Sequence, residues 1–210
     1  MGSYLSSVAI PSNLPRPSFE QLFRKELGLT EAEYNLVLSH FVVRHFQKRT
    51  FLLNAGDVST GKFYVNSGCT RSFVLDRKGK EHVLFFGFED WWLADFESYM
   101  TGKPGKQFIQ AIEDLELLYI SKPDFHALTV QVPALHEWFE VRQKKMTFAM
   151  VDRLIEVKTM CPEERIEKLA RARPAIFQRV ALHDIASYLD IEPGSLSRIR
   201  KRMLGEHRIS

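Results

Sequence analysis

Val180-Ala-Leu-His-Asp-Ile-Ala-Ser-Tyr-Leu189, then Asp190-Ile-Glu192, then Pro193-Gly-Ser-Leu-Ser-Arg-Ile-Arg-Lys-Arg202 read as two short helices joined by a tight turn. In the first, Ile185, Ala186 and Leu189 share one face, and Ala186 is small where a second helix has to cross closely. Ile191 sits in the turn and points inward. In the second, Leu196, Ile199 and Met203 have the spacing of a buried stripe. At about 100° per residue, the opposite face centres on Gly194, Arg198 and Lys201, with Ser195, Ser197 and Arg202 beside it. Cations and hydroxyls on an exposed helix face are what a major groove accepts. The plainer alternative is a helical hairpin with a solvated basic face.

Charge distribution favours the first reading. The chain carries a net charge of +3 over 210 residues. From Cys161 onward there are ten Lys/Arg against seven Asp/Glu, so residues 1–160 are formally neutral. Within 195–210, five cations face Glu206 alone. An excess confined to one helix and its flank is the footprint of phosphate contact.

Length allows one large domain or two small ones. Apolar content of 45% and charged content of 26% are ordinary globular values. No apolar run approaches the ~20 residues that span a bilayer. The N-terminal stretch lacks a cationic start before its short apolar run, so it reads as a lead-in and not a signal peptide. Cys69 and Cys161 are far apart, which suits a reducing cytoplasm and leaves no all-cysteine metal cluster.

Residues 18–40 have helical patterning, with a capping box at Thr30-Glu-Ala-Glu33. Short strands follow: Val42–Phe46, Thr50–Leu53, Phe63–Val65, Thr70–Leu75, His82–Phe86, Phe108–Ile112 and Leu115–Ile120. Asp76-Arg-Lys-Gly-Lys-Glu81 is a hairpin loop with Gly79 free to take positive φ. Near-regular spacing predicts a compact β-barrel or sandwich. Ser121-Lys-Pro-Asp124 opens a short helix. Pro133 opens a much longer one, running without Gly or Pro to about Thr159. Trp138, Val141, Lys145, Ala149 and Asp152 trace a near-heptad line along it, with Met146 adjoining. Apolar residues also lie round much of its girth. It is either a core helix of the β domain or a seam for a second copy; the seam is the reading taken here. Cys161-Pro162 ends it, and Pro162-Glu-Glu-Arg165 starts the next helix.

This order of parts resembles the Crp/Fnr, or catabolite-activator-like, family of bacterial transcription regulators, over about residues 20–210. The run Ile185–Lys201 is similar to the subgroup common in the Bacteroidetes. The resemblance implies an α+β chain. It begins with a cyclic-nucleotide-binding-like β-roll (a double-stranded β-helix), continues through a long dimerisation helix, and ends in a helix-turn-helix with little or no wing. The corresponding boundaries are 1–17 for the lead-in, 18–132 for the roll, 133–160 for the long helix and 161–210 for the DNA-binding part. It further implies a cytoplasmic homodimer on double-stranded, palindromic DNA, with RNA polymerase as a candidate partner.

Carried over position by position, Arg198 matches a base-reading arginine. Ser195 and Lys201 match phosphate-contacting positions, and His183 a backbone-contacting one. Gly194 replaces a base-reading glutamate, and Asp190 replaces a turn glycine. The chain stops at Arg208-Ile-Ser210, where a wing usually begins. In the sensor half, a cyclic-nucleotide cassette needs Gly-Glu for the ribose and Arg-Ser/Thr for the phosphate. Here Trp92-Leu-Ala-Asp95 stands at the first pair, and Gly105-Lys106 at the second. Cyclic AMP is therefore not expected, no cofactor is assigned, and the effector pocket is placed near Trp92, Asp95 and Lys106. Trp91 and Trp92 either fill the nucleotide's space or pack the roll against the long helix, the latter being simpler. The cysteine count rules out an Fnr-type iron–sulfur sensor.

An enzyme is not expected. His82 has no histidine two residues away, and His40, His45, His126 and His136 show no ligand spacing for a cupin-type metal. P-loop, GxSxG and HExxH motifs are absent. A ligand-binding or protein-interaction module with lost or weak specific DNA binding is the remaining rival, argued by Gly194 and the short C-terminus.

Overall fold

A computed structural model describes residues 17–206, with side chains described over 19–202. The lead-in, the Met203 side chain and the wing question lie outside the described residues.

The chain enters through α1 (Pro17–Gln21), a wider π-helical turn (Leu22–Glu26) and α2 (Glu31–Ser39). The capping box at Thr30 forms as its sequence requires: Glu33 N–H donates to Thr30 Oγ1 at 3.3 Å, and Thr30 N–H donates to the Glu33 carboxylate at 2.8 Å. Eight strands follow: β1 (Val42–Phe46), β2 (Phe51–Leu53), β3 (Gly61–Ser67), β4 (Thr70–Leu75), β5 (Glu81–Gly87), β6 (Trp92–Leu93), β7 (Phe108–Ala111) and β8 (Leu115–Ser121). They form two antiparallel sheets, ordered β1-β8-β3-β6 and β2-β7-β4-β5. Apart from the β4–β5 hairpin, consecutive strands lie in different sheets, so the roll closes on itself and buries Val65, Leu93, Ala111, Leu115 and Leu117 between them. The β4–β5 hairpin turns where the sequence places it. Gly79 has φ 78°, and the Asp76 carboxylate accepts from the amides of Lys78 and Lys80.

Strand β6, helix α3 (Phe96–Thr101) and a short helical turn at Ile176–Arg179 escaped the sequence reading. Asp95 caps α3, and Gly102 ends it in the left-handed region. Helix α4 (Lys122–Gln131) is capped by Ser121, and the long helix α5 runs Pro133–Thr159. Beyond the Cys161-Pro162 break come α6 (Pro162–Ala172), a single turn α7 (Ile176–Arg179), α8 (Leu182–Leu189) and α9 (Pro193–Glu206).

The C-terminal helices do not hang free of the roll. One apolar cluster joins Cys69, Phe73, Val83, Phe86 and Phe88 of the roll to Ile176, Val180, Ile185 and Leu189 of the C-terminal part. Polar bonds fix the register of that contact. Ser187 Oγ accepts from Val83 N–H at 2.9 Å and donates to Glu81 O at 3.2 Å. Arg71 Nη1 reaches Asp184 Oδ1 at 2.6 Å, with both side chains buried. The same guanidinium pairs with Glu81 and with Gln110 Oε1. Arg179 pairs with Glu89 and Glu113 at 2.8 and 2.6 Å.

Asp184→Ala strands part of a buried guanidinium and is expected to cost roughly 2–4 kcal/mol in urea denaturation. The double change Arg71→Met with Asp184→Leu is expected to recover much of that loss. A single variant within error of wild type would mean that apolar contact alone docks the helix-turn-helix.

Candidate nucleic-acid interface and sensor cleft

The α8–α9 pair is built by the residues that singled it out. Ile185, Ala186 and Leu196 are fully buried, and Leu189 and Ile199 nearly so. Asp190 closes α8 at φ 54°, ψ 50°, a conformation that Asp tolerates in place of glycine. Ile191 N–H then donates to Ala186 O at 3.0 Å, which turns the chain into α9.

On α9 the outward face carries Gly194, Ser197, Arg198, Lys201 and Arg202, with Ser195 half-buried at its edge. Arg198 folds back along the helix, donating to Gly194 O at 3.3 Å and Ser195 Oγ at 3.2 Å. Among the described residues, no carboxylate pairs with Arg198 or Lys201. Arg202 does have a partner, Glu163 of α6 at 2.6 Å. Arg200, counted with the basic face by charge alone, turns inward over the Phe177 ring at 4.3 Å. A Cβ on Gly194 would meet nothing within 4 Å, so the surface there is open and bare. His183 is exposed at the start of α8, its Nε2 3.3 Å from Asp184 Oδ1.

Of the effector residues chosen from sequence, Asp95 and the Lys106 backbone meet, but in a closed contact, and Trp92 packs elsewhere. Asp95 is buried, and both of its oxygens are in use. Oδ1 accepts from Ser98 N–H at 3.0 Å; Oδ2 accepts from Lys106 N–H at 3.1 Å and Gln107 N–H at 3.4 Å. Any Cβ at Gly105 would lie 2.6 Å from Asp95 Oδ2. A carboxylate of the chain itself therefore holds the amides that a ligand phosphate would need. Lys106 points away, paired with Glu97 at 2.9 Å in solvent. A cyclic nucleotide does not fit this arrangement, because the cassette is filled by a like charge and offers no guanidinium.

Trp92 packs between roll and long helix, with ring centroids 4.6 Å from Phe139, 5.3 Å from Tyr64 and 6.4 Å from Trp138. Trp91 lies largely outside that stack and at 36% exposure approaches solvent. Beside Trp92 is a cleft of about 320 Å³, lined by Lys62, Trp91, Phe96, Phe139 and Met146 among others. Lys62 is only 7% exposed, its ammonium 3.7 Å from the Phe125 ring centroid and within 5 Å of those of Tyr99 and Phe139. Burial draws its pKa down to about 8. No pattern in the chain hints at it, since a lone lysine in a strand carries no signal until its neighbours are placed.

The proposed seam divides on inspection. Trp138 belongs to its own chain's core, 5.9 Å from Phe23, because the first turns of α5 lie on the N-terminal helices. Met146 and Ala149 line the cleft against the roll. Val141, Lys145 and Asp152 are exposed. The apolar stripe opposite the roll runs instead through Phe148, Val151 and Ile155, exposed at 67%, 50% and 52%, with Leu154 beside them at 62%. Phe148 and Val151 were missed because the apolar girth of α5 gave no unique face.

Among the described residues no helix is long and apolar enough to cross a membrane, and no group of three or more His, Cys, Asp and Glu could hold a metal ion.

Residues 43–131 match the cyclic nucleotide-binding domain family. No protein of curated function matches the sequence. Among solved structures, the chain is similar to the c-di-GMP-responsive global regulator CLP of Xanthomonas campestris, with TM-score 0.67 and 15% identity over 85% of this chain and 93% of that one. It is similar to a protein of Eubacterium rectale described as a transcriptional regulator of the Crp/Fnr family, with TM-score 0.65 and 17% identity over 85% of each chain. It is also similar to the catabolite activator protein of Thermus thermophilus, with TM-score 0.52 and 22% identity over 89% of this chain and 87% of that one. Residues 43–131 thus match a cyclic nucleotide-binding domain, in a chain that has the fold of the Crp/Fnr regulators.

Proposed function

We propose that the chain is a DNA-binding transcriptional regulator that works as a homodimer, with α9 in the major groove and an effector other than cyclic AMP. The observation that carries this is the outward face of α9. Arg198 and Lys201 are exposed there without carboxylate partners among the described residues, opposite a stripe that anchors the helix. Cations left unpaired on a rigid helix are available to phosphates and guanine edges. His183 and Ser195 flank the same face as backbone contacts, with Ser197 beside Arg198 and Arg202 shared with Glu163. The bare Gly194 leaves one base step unread, so specificity rests on Arg198.

Dimerisation rests on the unpartnered stripe of α5. Phe148, Val151 and Ile155 follow a 3–4 spacing, which matches a two-stranded seam. A two-fold pair places two α9 helices on one side of the assembly, as a palindromic operator requires. The cleft beside Lys62 is the place proposed for an effector, because it touches both the roll and α5.

Arg198→Ala is expected to cost about 1–3 kcal/mol per half-site and to relax preference at one base pair. Lys201→Ala is expected to weaken all sequences alike and to lower the salt slope by about one unit. Equal losses on specific and random duplexes for both variants would remove base reading from Arg198.

Phe148→Asp with Val151→Asp is expected to give monomers by light scattering and to abolish specific DNA binding, while leaving thermal unfolding of the monomer cooperative. A wild-type chain that is monomeric at micromolar concentration would contradict the seam.

A further inference from the structure

Where α5, α6 and α8 meet, they enclose a small cavity of about 170 Å³. Its polar lining is Arg153, Arg165, Lys168 and Glu156, with Tyr188 and Leu189 at the end of α8. Arg165 donates from Nη1 to Leu189 O at 2.5 Å, and Arg153 donates to Tyr188 O and Leu84 O. The Arg153 guanidinium also lies 3.7 Å from the Tyr188 ring centroid.

Among the described residues, neither guanidinium has a carboxylate partner. Arg165 is 9% exposed, and its Nε has no acceptor at all. Glu156 is the only carboxylate in the lining, and Lys168 takes it at 2.5 Å. The α8 C-terminus supplies about half a negative charge, which does not balance two largely buried guanidiniums. A buried charge left without a counter-charge is costly. Burial draws the Arg153 guanidinium below its ordinary pKa, against the pull of Tyr188, Glu156 and Asp190.

We propose that this cavity is an anion site for one phosphate-sized oxyanion, held by the guanidiniums of Arg153 and Arg165 and the ammonium of Lys168. Guanidinium donors match the oxygens of phosphate, and the flexible lysine adds a point charge at the rim. The site shares no residue with the filled cassette at Asp95, and it meets the cleft beside Lys62 only at Ala149 of α5. It joins the long helix to both α6 and the first helix of the helix-turn-helix across the Cys161-Pro162 break. An ion seated there supports the angle at which α8 and α9 are presented. That consequence rests on the DNA-binding reading, whereas the binding itself does not.

The test is calorimetry on the full chain without DNA, titrating inorganic phosphate against chloride at constant ionic strength. Glycerol phosphate and succinate serve as further arms. One saturable phosphate site per chain is expected. Lys168→Gln is expected to weaken it about tenfold, the loss of one ion pair. Lys168 is exposed, so this variant keeps the fold even if Arg165→Gln, the stronger test, does not. Tighter binding of glycerol phosphate than of phosphate would support the site and identify the ligand as an ester. Tighter binding of succinate would overturn the phosphate assignment. No saturable heat in wild type, or heats unchanged in Lys168→Gln, would overturn the site. Because DNA is absent, failure here leaves the role of α9 unaffected, and the reverse also holds.

Discussion

The buried guanidinium of Arg71 is the constraint on which the relation between the two halves depends. It sits on β4, stacks 4.5 Å from the Phe73 ring centroid, and divides its donors among Glu81, Gln110 and Asp184. The first two partners fix the β4–β5 hairpin and β7, and the third fixes α8. Desolvating such a group is favourable only if every partner is in place. Around it the apolar cluster of roll and C-terminal helices is continuous, and Arg179 repeats the arrangement at the far edge with Glu89 and Glu113. The orientation of α9 follows from this contact, since α8 carries it.

The sensor half keeps its fold while changing its chemistry. The roll closes as a cyclic nucleotide-binding domain does, yet Asp95 has taken the amides of Ser98 and Lys106 for itself. A fixed internal carboxylate there stabilises α3 and its following loop without any ligand. Away from the face of α9, Lys62, caged by aromatic rings, and the hinge cations Arg153 and Arg165 stand in or beside cavities without a carboxylate partner among the described residues.

Much of this was legible in the sequence, for identifiable reasons. The Leu196/Ile199 stripe and the left-handed Asp190 are local features, and they survive without tertiary information. The long helix was bounded by Pro133 and Cys161-Pro162, and the structure ends it within a residue of that reading. Strand β6 was hidden because two residues have no period, and α3 because only its caps, Asp95 and Gly102, announce it. Contacts such as Arg71–Asp184 join residues 113 apart and leave no trace in pattern. Apolar residues surround α5, so pattern alone offers no single face for a seam. The N-terminal helices and the roll partly cover Trp138 and Met146 and leave Phe148, Val151 and Ile155 exposed.

The central claim is that two copies of α9, held by paired α5 helices, read a symmetric stretch of duplex DNA. Selection of binding sites from random duplexes by the purified full-length protein tests it most directly. Recovery of an inverted repeat, with half-sites one helical turn or roughly 10 bp apart and a guanine common to each, is the expected result. Recovery of sequences without two-fold symmetry, or no enrichment over random DNA at moderate salt, would contradict it.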